Sequence, residues 1–217
     1  MSLSPVDASR LTREICDLAP IIPVLVVDDV KTARSLAEAL IAGGLPALEV
    51  TLRTPDALDA IRTMAEVSGG YVGAGTLITP DDVRAAKEAG ATFGVSPGAT
   101  DALLAACEEH DLPLLPGAAT ASEAMRLLER GYDMLKFFPA EASGGAPALK
   151  SIGAPLPQIS FCPTGGVNLA NAANYLCLPN VPCAGGSWVA PGNLIAKGDW
   201  AGIETLAREA AQLGTAQ

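Results

Sequence analysis

Histidine is almost absent from this chain, with His110 the single one among 217 residues. One imidazole gives a transition-metal site little to build on. His110 follows Glu108 and Glu109 near the end of a helical stretch, where it suits the C-terminal carbonyls better than catalysis, which needs a pocket and partners. Paired cysteines are missing too. Cys16, Cys107, Cys162, Cys177 and Cys183 are odd in number and include no C-x-x-C pair, which argues against a zinc site or a disulfide framework. Buried reduced thiols in a cytosolic protein are expected instead. Positive charge is scarce, 14 basic against 24 acidic residues for a net −10, so nucleic acid and anionic membrane surfaces are poor partners. Any anionic ligand must be held by a local device. Long hydrophobic runs are also lacking; the longest, around Ile21 to Val27, is far too short to cross a bilayer. Met1 to Asp17 is polar and amphipathic and carries no signal-peptide pattern. A cytoplasmic location follows as the expectation.

What is present is a globular composition, 49% apolar and 18% charged, in a length that suits one domain spanning 1–217. Strand-like runs alternate with helical stretches eight times. The strands are expected at Ile21–Val27, Ala47–Leu52, Tyr71–Ala74, Thr92–Val95, Leu112–Leu115, Met134–Phe138, Ile159–Cys162 and Val181–Ala184. Thr54-Pro55-Asp56 and Thr79-Pro80-Asp81 read as helix starts, threonine capping and proline in the first turn. Thr120 with Glu123 reads as a capping box, and the helix it opens ends at Gly131. Further helices are expected near Asn168–Leu176 and Trp200–Gln212, and one more, Asp7–Leu18, precedes the first strand. Eight such units predict a (β/α)8 TIM barrel with an extra N-terminal helix, whose ligand site lies at the C-terminal strand ends.

Lys136, in Met134-Leu135-Lys136-Phe137-Phe138-Pro139, is the residue that stands out. A lysine with apolar neighbours either snorkels from an edge strand or is buried for a task. A desolvated amine is a nucleophile suited to Schiff-base chemistry. In Glu49-Val50-Thr51-Leu52-Arg53, alternation puts Glu49, Thr51 and Arg53 on one face and Leu48, Val50 and Leu52 on the other. With the polar face inward, Glu49 either pairs with Arg53 for purely structural reasons or meets Lys136 across the barrel and moves protons for it. Glycines crowd the same strand ends: Gly73-Ala74-Gly75-Thr76, Ser96-Pro97-Gly98 and Pro116-Gly117. Thr164-Gly165-Gly166 and Gly185-Gly186-Ser187 form two glycine turns, each expected to lead into a helix, near Asn168 and just after Ser187. Such turns and helix starts either close tight connections or bind phosphate through backbone N–H groups.

Six segments in this order resemble the KDPG/KHG aldolase family, the class I aldolases of the Entner–Doudoroff pathway: Glu49 to Thr54, Val72 to Thr76, Phe93 to Gly98, Leu135 to Ala140, Pro163 to Val167 and Gly185 to Trp188. The resemblance implies that Lys136 is the Schiff-base lysine and Glu49 the general acid/base. It implies that Arg53 and Thr76 hold the pyruvate carboxylate and that Phe138 and Pro97 wall the pocket. Thr164 would meet substrate hydroxyls, and Gly165, Gly166, Gly185, Gly186 and Ser187 the phosphate. It further implies a homotrimer acting on a small phosphorylated keto acid, with pyruvate as a product and no metal or cofactor. The expected reaction is cleavage of 2-keto-3-deoxy-6-phosphogluconate to pyruvate and glyceraldehyde 3-phosphate, with 4-hydroxy-2-oxoglutarate as a further substrate. Alternatives are the galactonate epimer, disfavoured by threonine at 164, a phosphosugar isomerase or epimerase on the same barrel, and a non-catalytic phosphometabolite binder.

Overall fold

The structure, a computed structural model, describes residues 2–213; Met1 and 214–217, included in the expected single domain, lie outside the described residues. The chain opens with α1 (Pro5–Cys16), capped by the Ser4 hydroxyl accepting from the Asp7 N–H. Next come β1 (Ile21–Leu25), a short 3-10 turn at Val30–Thr32, α2 (Ala33–Ala42), β2 (Ala47–Thr51), α3 (Ala57–Ala65), β3 (Tyr71–Gly75) and α4 (Pro80–Glu88). The middle holds β4 (Phe93–Val95), α5 (Asp101–Glu109), β5 (Leu114–Leu115), β6 (Gly117–Ala118), α6 (Ala121–Arg130), β7 (Met134–Phe137) and α7 (Gly145–Gly153). The chain continues with β8 (Ser160–Pro163), α8 (Ala172–Leu176), β9 (Ala184–Gly186), α9 (Gly192–Lys197) and α10 (Trp200–Ala211).

All pairings are parallel. One curled sheet has six strands in the order β5-β4-β3-β2-β1-β9, and a second has three in the order β6-β7-β8. Two features join them. Pro116 separates β5 from β6, and the Leu115 carbonyl accepts from Ser96 on one side while the Pro116 carbonyl accepts from Lys136 on the other. At the far side, a parallel bridge pairs Thr164, just past β8, with Gly185 of β9.

Alternation along the strands builds two cores. Ile21, Leu25, Leu48, Val50, Ala74, Leu135 and Phe161 face outward into the main core with the helices. Ile22, Ala47, Phe93, Val95, Leu115, Met134, Cys162 and Cys183 face inward, joined by Ile15 and Cys16 of α1. Helix α1 is fastened there by polar contacts. The buried Ser9 hydroxyl donates to Asp133 Oδ1 (2.6 Å) and accepts from the N–H groups of Asp133 and Met134. Among the described residues, no helix is long and apolar enough to cross a membrane.

Several expected boundaries move. Thr54 does not cap a helix: α3 starts at Ala57 after Asp56, and the Thr54 hydroxyl instead donates to the Val27 carbonyl at 2.6 Å, tying together the segments after β1 and β2. The eighth strand is Ala184–Gly186 rather than Val181–Ala184, because Ala184, Gly185 and Gly186 fall in register with Ile21, Ile22 and Pro23, and Pro182 has no N–H to give a ladder. Thr79 and Thr120 do cap α4 and α6, each in a reciprocal capping box.

Candidate active site

Strands β2 and β7 lie apart in the strand order, yet the curl of the sheets lets their inward side chains meet. Lys136 and Glu49 are both buried, at 4% and 3% exposure. The Lys136 ammonium donates to Glu49 Oε1 at 3.3 Å. Glu49 therefore pairs with Lys136 and not with Arg53. Leu48 and Val50 pack outward and Thr51 is fully buried, as alternation requires; the Thr51 hydroxyl donates to the Leu25 carbonyl.

The glycines of β3 make room for this pair. Glu49 stands opposite Gly73 in the ladder. A Cβ on Gly75 would lie 2.3 Å from Glu49 Oε1, and one on Gly73 would strike the Phe93 ring at 2.4 Å. The inner face of β3 is thus kept free of side chains where the carboxylate and the aromatic ring need the space.

Beyond Lys136 opens a cavity of about 300 Å³. Arg53, Lys136, Phe138, Ser187 and the 164–167 and 185–186 segments line it, as do Val24 and Val26. The Lys136 ammonium lies 5.1 Å from the centre of the Phe138 ring. Cys162, level with Lys136 in the β7–β8 ladder, sits beneath. The neighbouring thiols of Cys16 and Cys183, with the lysine charge and Thr164, hold its thiol well below the ordinary cysteine range.

Arg53 lies past the end of β2, is exposed at the cavity rim, and its Nε donates to Thr76 Oγ1 at 3.3 Å. Thr76 has a φ of +63°, which a β-branched residue rarely adopts. Such strain clusters at ligand clamps. Thr76 does not itself line the cavity, nor does Glu49, which sits behind Lys136, nor Pro97, whose carbonyl packs against Gly117.

The two Gly-Gly pairs turn out to differ. Gly165 and Gly166 have φ values of +100° and +80° and form a left-handed turn. Gly185 and Gly186 are strand residues, where glycine permits close approach: a Cβ on Gly185 would lie 2.3 Å from the Thr164 hydroxyl. The helices expected at these turns begin late, α8 at Ala172 and α9 at Gly192. Neither glycine segment leads directly into a helix N-terminus, so the helix starts expected at an anion site are not at these turns. Sequence reading missed Val24 and Val26, although their alternation with the outward Leu25 was available as a signal. Among the described residues, no group of three or more His, Cys, Asp or Glu side chains is placed to hold a metal ion.

Residues 12–206 match the family described as "Aldolase: KDPG and KHG aldolase". The chain belongs to this family. It is 50% identical to the 2-dehydro-3-deoxy-phosphogluconate aldolase of Pseudoalteromonas atlantica over 92% of its own length and 93% of that protein. It is 48% identical to the KHG/KDPG aldolase of Escherichia coli K12, over 92% and 94% of the two chains. A structure of the 2-keto-3-deoxy-6-phosphogluconate aldolase of Zymomonas mobilis ZM4 with 3-phosphoglycerate superposes with a TM-score of 0.90 at 48% identity, covering 94% of this chain and 97% of that one. A structure of the Legionella pneumophila KDPG aldolase, with pyruvate captured at low pH as a covalent carbinolamine, gives a TM-score of 0.88 at 44% identity, over 96% and 98% of the chains.

Proposed function

We propose that the protein is a class I aldolase that reversibly cleaves 2-keto-3-deoxy-6-phosphogluconate to pyruvate and D-glyceraldehyde 3-phosphate. The observation that carries this reading is the buried Lys136–Glu49 contact at 3.3 Å, on the inner side of a cavity whose other wall is a left-handed glycine turn. Burying two charges is costly, and replacing such a pair with apolar groups is often stabilising. A pair kept at this cost is well suited to chemistry.

In this reading Glu49 takes a proton from the Lys136 ammonium, and the free amine attacks the C2 ketone. The carbinolamine loses water to give an iminium, with Glu49 passing protons. Glu49 then removes the proton of the C4 hydroxyl. The C3–C4 bond breaks, its electron pair flows into the iminium, and glyceraldehyde 3-phosphate leaves as the aldehyde. Protonation of the resulting enamine at C3, followed by hydrolysis, frees pyruvate and the lysine. Arg53, beside Thr76 at the rim, supplies a planar fork matched to the carboxylate. Phe138 walls the nucleophile, and Pro97, whose backbone packs against Gly117, closes the pocket on another side. Thr164 faces the substrate hydroxyls, and Gly165, Gly166, Gly185, Gly186 and Ser187 take the phosphate. Binding at that end positions the reacting end.

The name of the family suggests 4-hydroxy-2-oxoglutarate as a second substrate, cleaved to pyruvate and glyoxylate by the same steps. The proposal extends to the architecture: one domain closed as an eight-stranded barrel, supported by the carbonyls either side of the Pro116 break and by the Thr164–Gly185 bridge. It extends also to a cytoplasmic homotrimer, which light scattering of the purified protein tests.

The experiment for the central claim is reductive trapping. Borohydride with pyruvate should leave a covalent pyruvyl adduct on Lys136, located by peptide mass analysis, and Lys136→Arg should abolish both adduct and turnover. An unmodified Lys136 in an enzyme that still releases pyruvate would reject the Schiff-base role.

A further inference from the structure

Gly166 carries the peptide that closes the left-handed turn, and its carbonyl is held by two side-chain amides. Asn168 Nδ2 donates to it at 3.1 Å and Asn171 Nδ2 at 3.0 Å. Neither amide is free to flip. Asn168 Oδ1 accepts from the Ala170 N–H at 2.9 Å, and Asn171 Oδ1 accepts from the Asn168 N–H at 2.7 Å. A flipped amide would set NH₂ against N–H. One residue earlier, the Gly165 carbonyl accepts from the Glu141 N–H at 3.0 Å, and the Thr164 carbonyl from Ala140 at 2.8 Å.

A trans peptide is planar, and its C=O and N–H point in opposite directions. Holding the Gly165 oxygen therefore aims the Gly166 N–H the other way. Holding the Gly166 oxygen does the same for the Val167 N–H. The oxygens are drawn toward residues 141 and 168–171, outside the cavity, while Gly165, Gly166 and Val167 line it. Glycine has no Cβ to restrict its backbone at positive φ, so the clamp is what fixes the direction of these peptide planes.

We infer that Asn168 and Asn171 are positioning residues that preorganise this turn for an anionic oxygen ligand of the phosphate class, with the Val167 N–H as one of its donors. The inference rests on the reading of the turn as the substrate's phosphate subsite. The two asparagines touch no substrate. They set the direction in which backbone donors point before the ligand arrives, and the gain is in binding rather than in chemistry at Lys136.

The test is the double variant Asn168→Ala/Asn171→Leu, which removes both amides without adding charge. Three readouts are compared with wild type: steady-state kinetics on 2-keto-3-deoxy-6-phosphogluconate, competitive inhibition by inorganic phosphate, and the rate of borohydride trapping of pyruvate. The clamp predicts that KM and the phosphate inhibition constant each rise roughly tenfold, the scale of one or two lost hydrogen bonds. Trapping of pyruvate, which has no phosphate, should proceed at the wild-type rate. Phosphate competing equally well against variant and wild type would overturn the clamp. Trapping that slows in step with KM would reduce the asparagines to general structural residues and overturn it too. Phosphate that fails to compete against wild type would instead remove the phosphate subsite itself, and the clamp with it.

Discussion

Lys136 and Glu49 show how much a single contact depends on what is not beside it. The carboxylate reaches the ammonium because Gly75 has no side chain. Gly75 lies within β3 and has no left-handed backbone angle, so alanine costs nothing in backbone strain there and acts only through its methyl. Gly75→Ala should push Glu49 off Lys136 and lower kcat at least tenfold, with a stability loss of about 1–3 kcal/mol for overpacking. Kinetics together with urea melts check this; an alanine variant with full kcat would mean that the carboxylate position does not matter. At this scale the sequence was informative about identity and silent about distance. Buried lysine and inward glutamate were both legible, by apolar context and by period-two alternation. Which of Lys136 and Arg53 would hold Glu49 was not, because the choice depends on how far the sheets curl. The left-handed Thr76 was illegible for a related reason: a threonine carries no local signal for a positive φ and is held there by its surroundings.

Elements were read best where a short-range chemical device defines them. Thr79 with Asp82 and Thr120 with Glu123 close reciprocal capping boxes, and Gly131 ends α6 in the left-handed region. Each needs only residues a few positions apart. Thr54 shares the Thr-Pro-Asp start of Thr79 but has Ala57 three positions on, so no reciprocal box closes, and its hydroxyl found a carbonyl 27 residues away in sequence. The glycines of β9 were read as a turn because glycine is depleted from strands; their use is to admit Thr164 and Trp188. Helix α1 was visible as a helix but its berth was not. Its Ser9 hydroxyl serves two backbone N–H groups, of Asp133 and Met134. Ser9→Ala would leave those donors unsatisfied at a buried contact, and a loss of about 1–3 kcal/mol is expected for the orphaned groups. Chemical denaturation measures it, and a change under a few tenths of a kcal/mol would mean that water fills the gap at no cost.

At the scale of the whole molecule, a loss of stability at alkaline pH is expected from groups on two different elements. Cys107 of α5 and Tyr132 at the start of the β7 segment share Glu108 as a neighbour. Burial first, and then the Glu108 charge, pushes the Cys107 thiol up from 9.0 to about 12. The same two causes, in the same order, raise the Tyr132 phenol. Both are acids with folded-state values above their unfolded ones. Their stabilisation is therefore complete below pH 9 and is lost as pH rises through the folded values, because the unfolded chain gives up its protons first. Urea midpoints should fall between pH 9 and 12, and Cys107→Ala should flatten that decline relative to wild type; parallel curves would clear Cys107 of the effect. By itself the sequence determined the alternation of strand and helix, the inward and outward faces of β2, the capping of α4 and α6, and the family. These follow from local periodicity and from hydrogen bonds that close within a few residues. Tertiary structure alone decided that Glu49 takes Lys136, that β9 begins three residues late, and that Pro116 splits a strand while its neighbours stay paired on both sides. Each of these is a contact between distant segments or a choice among equally good local partners, and it is settled only when the curl of the sheets sets which groups come within reach.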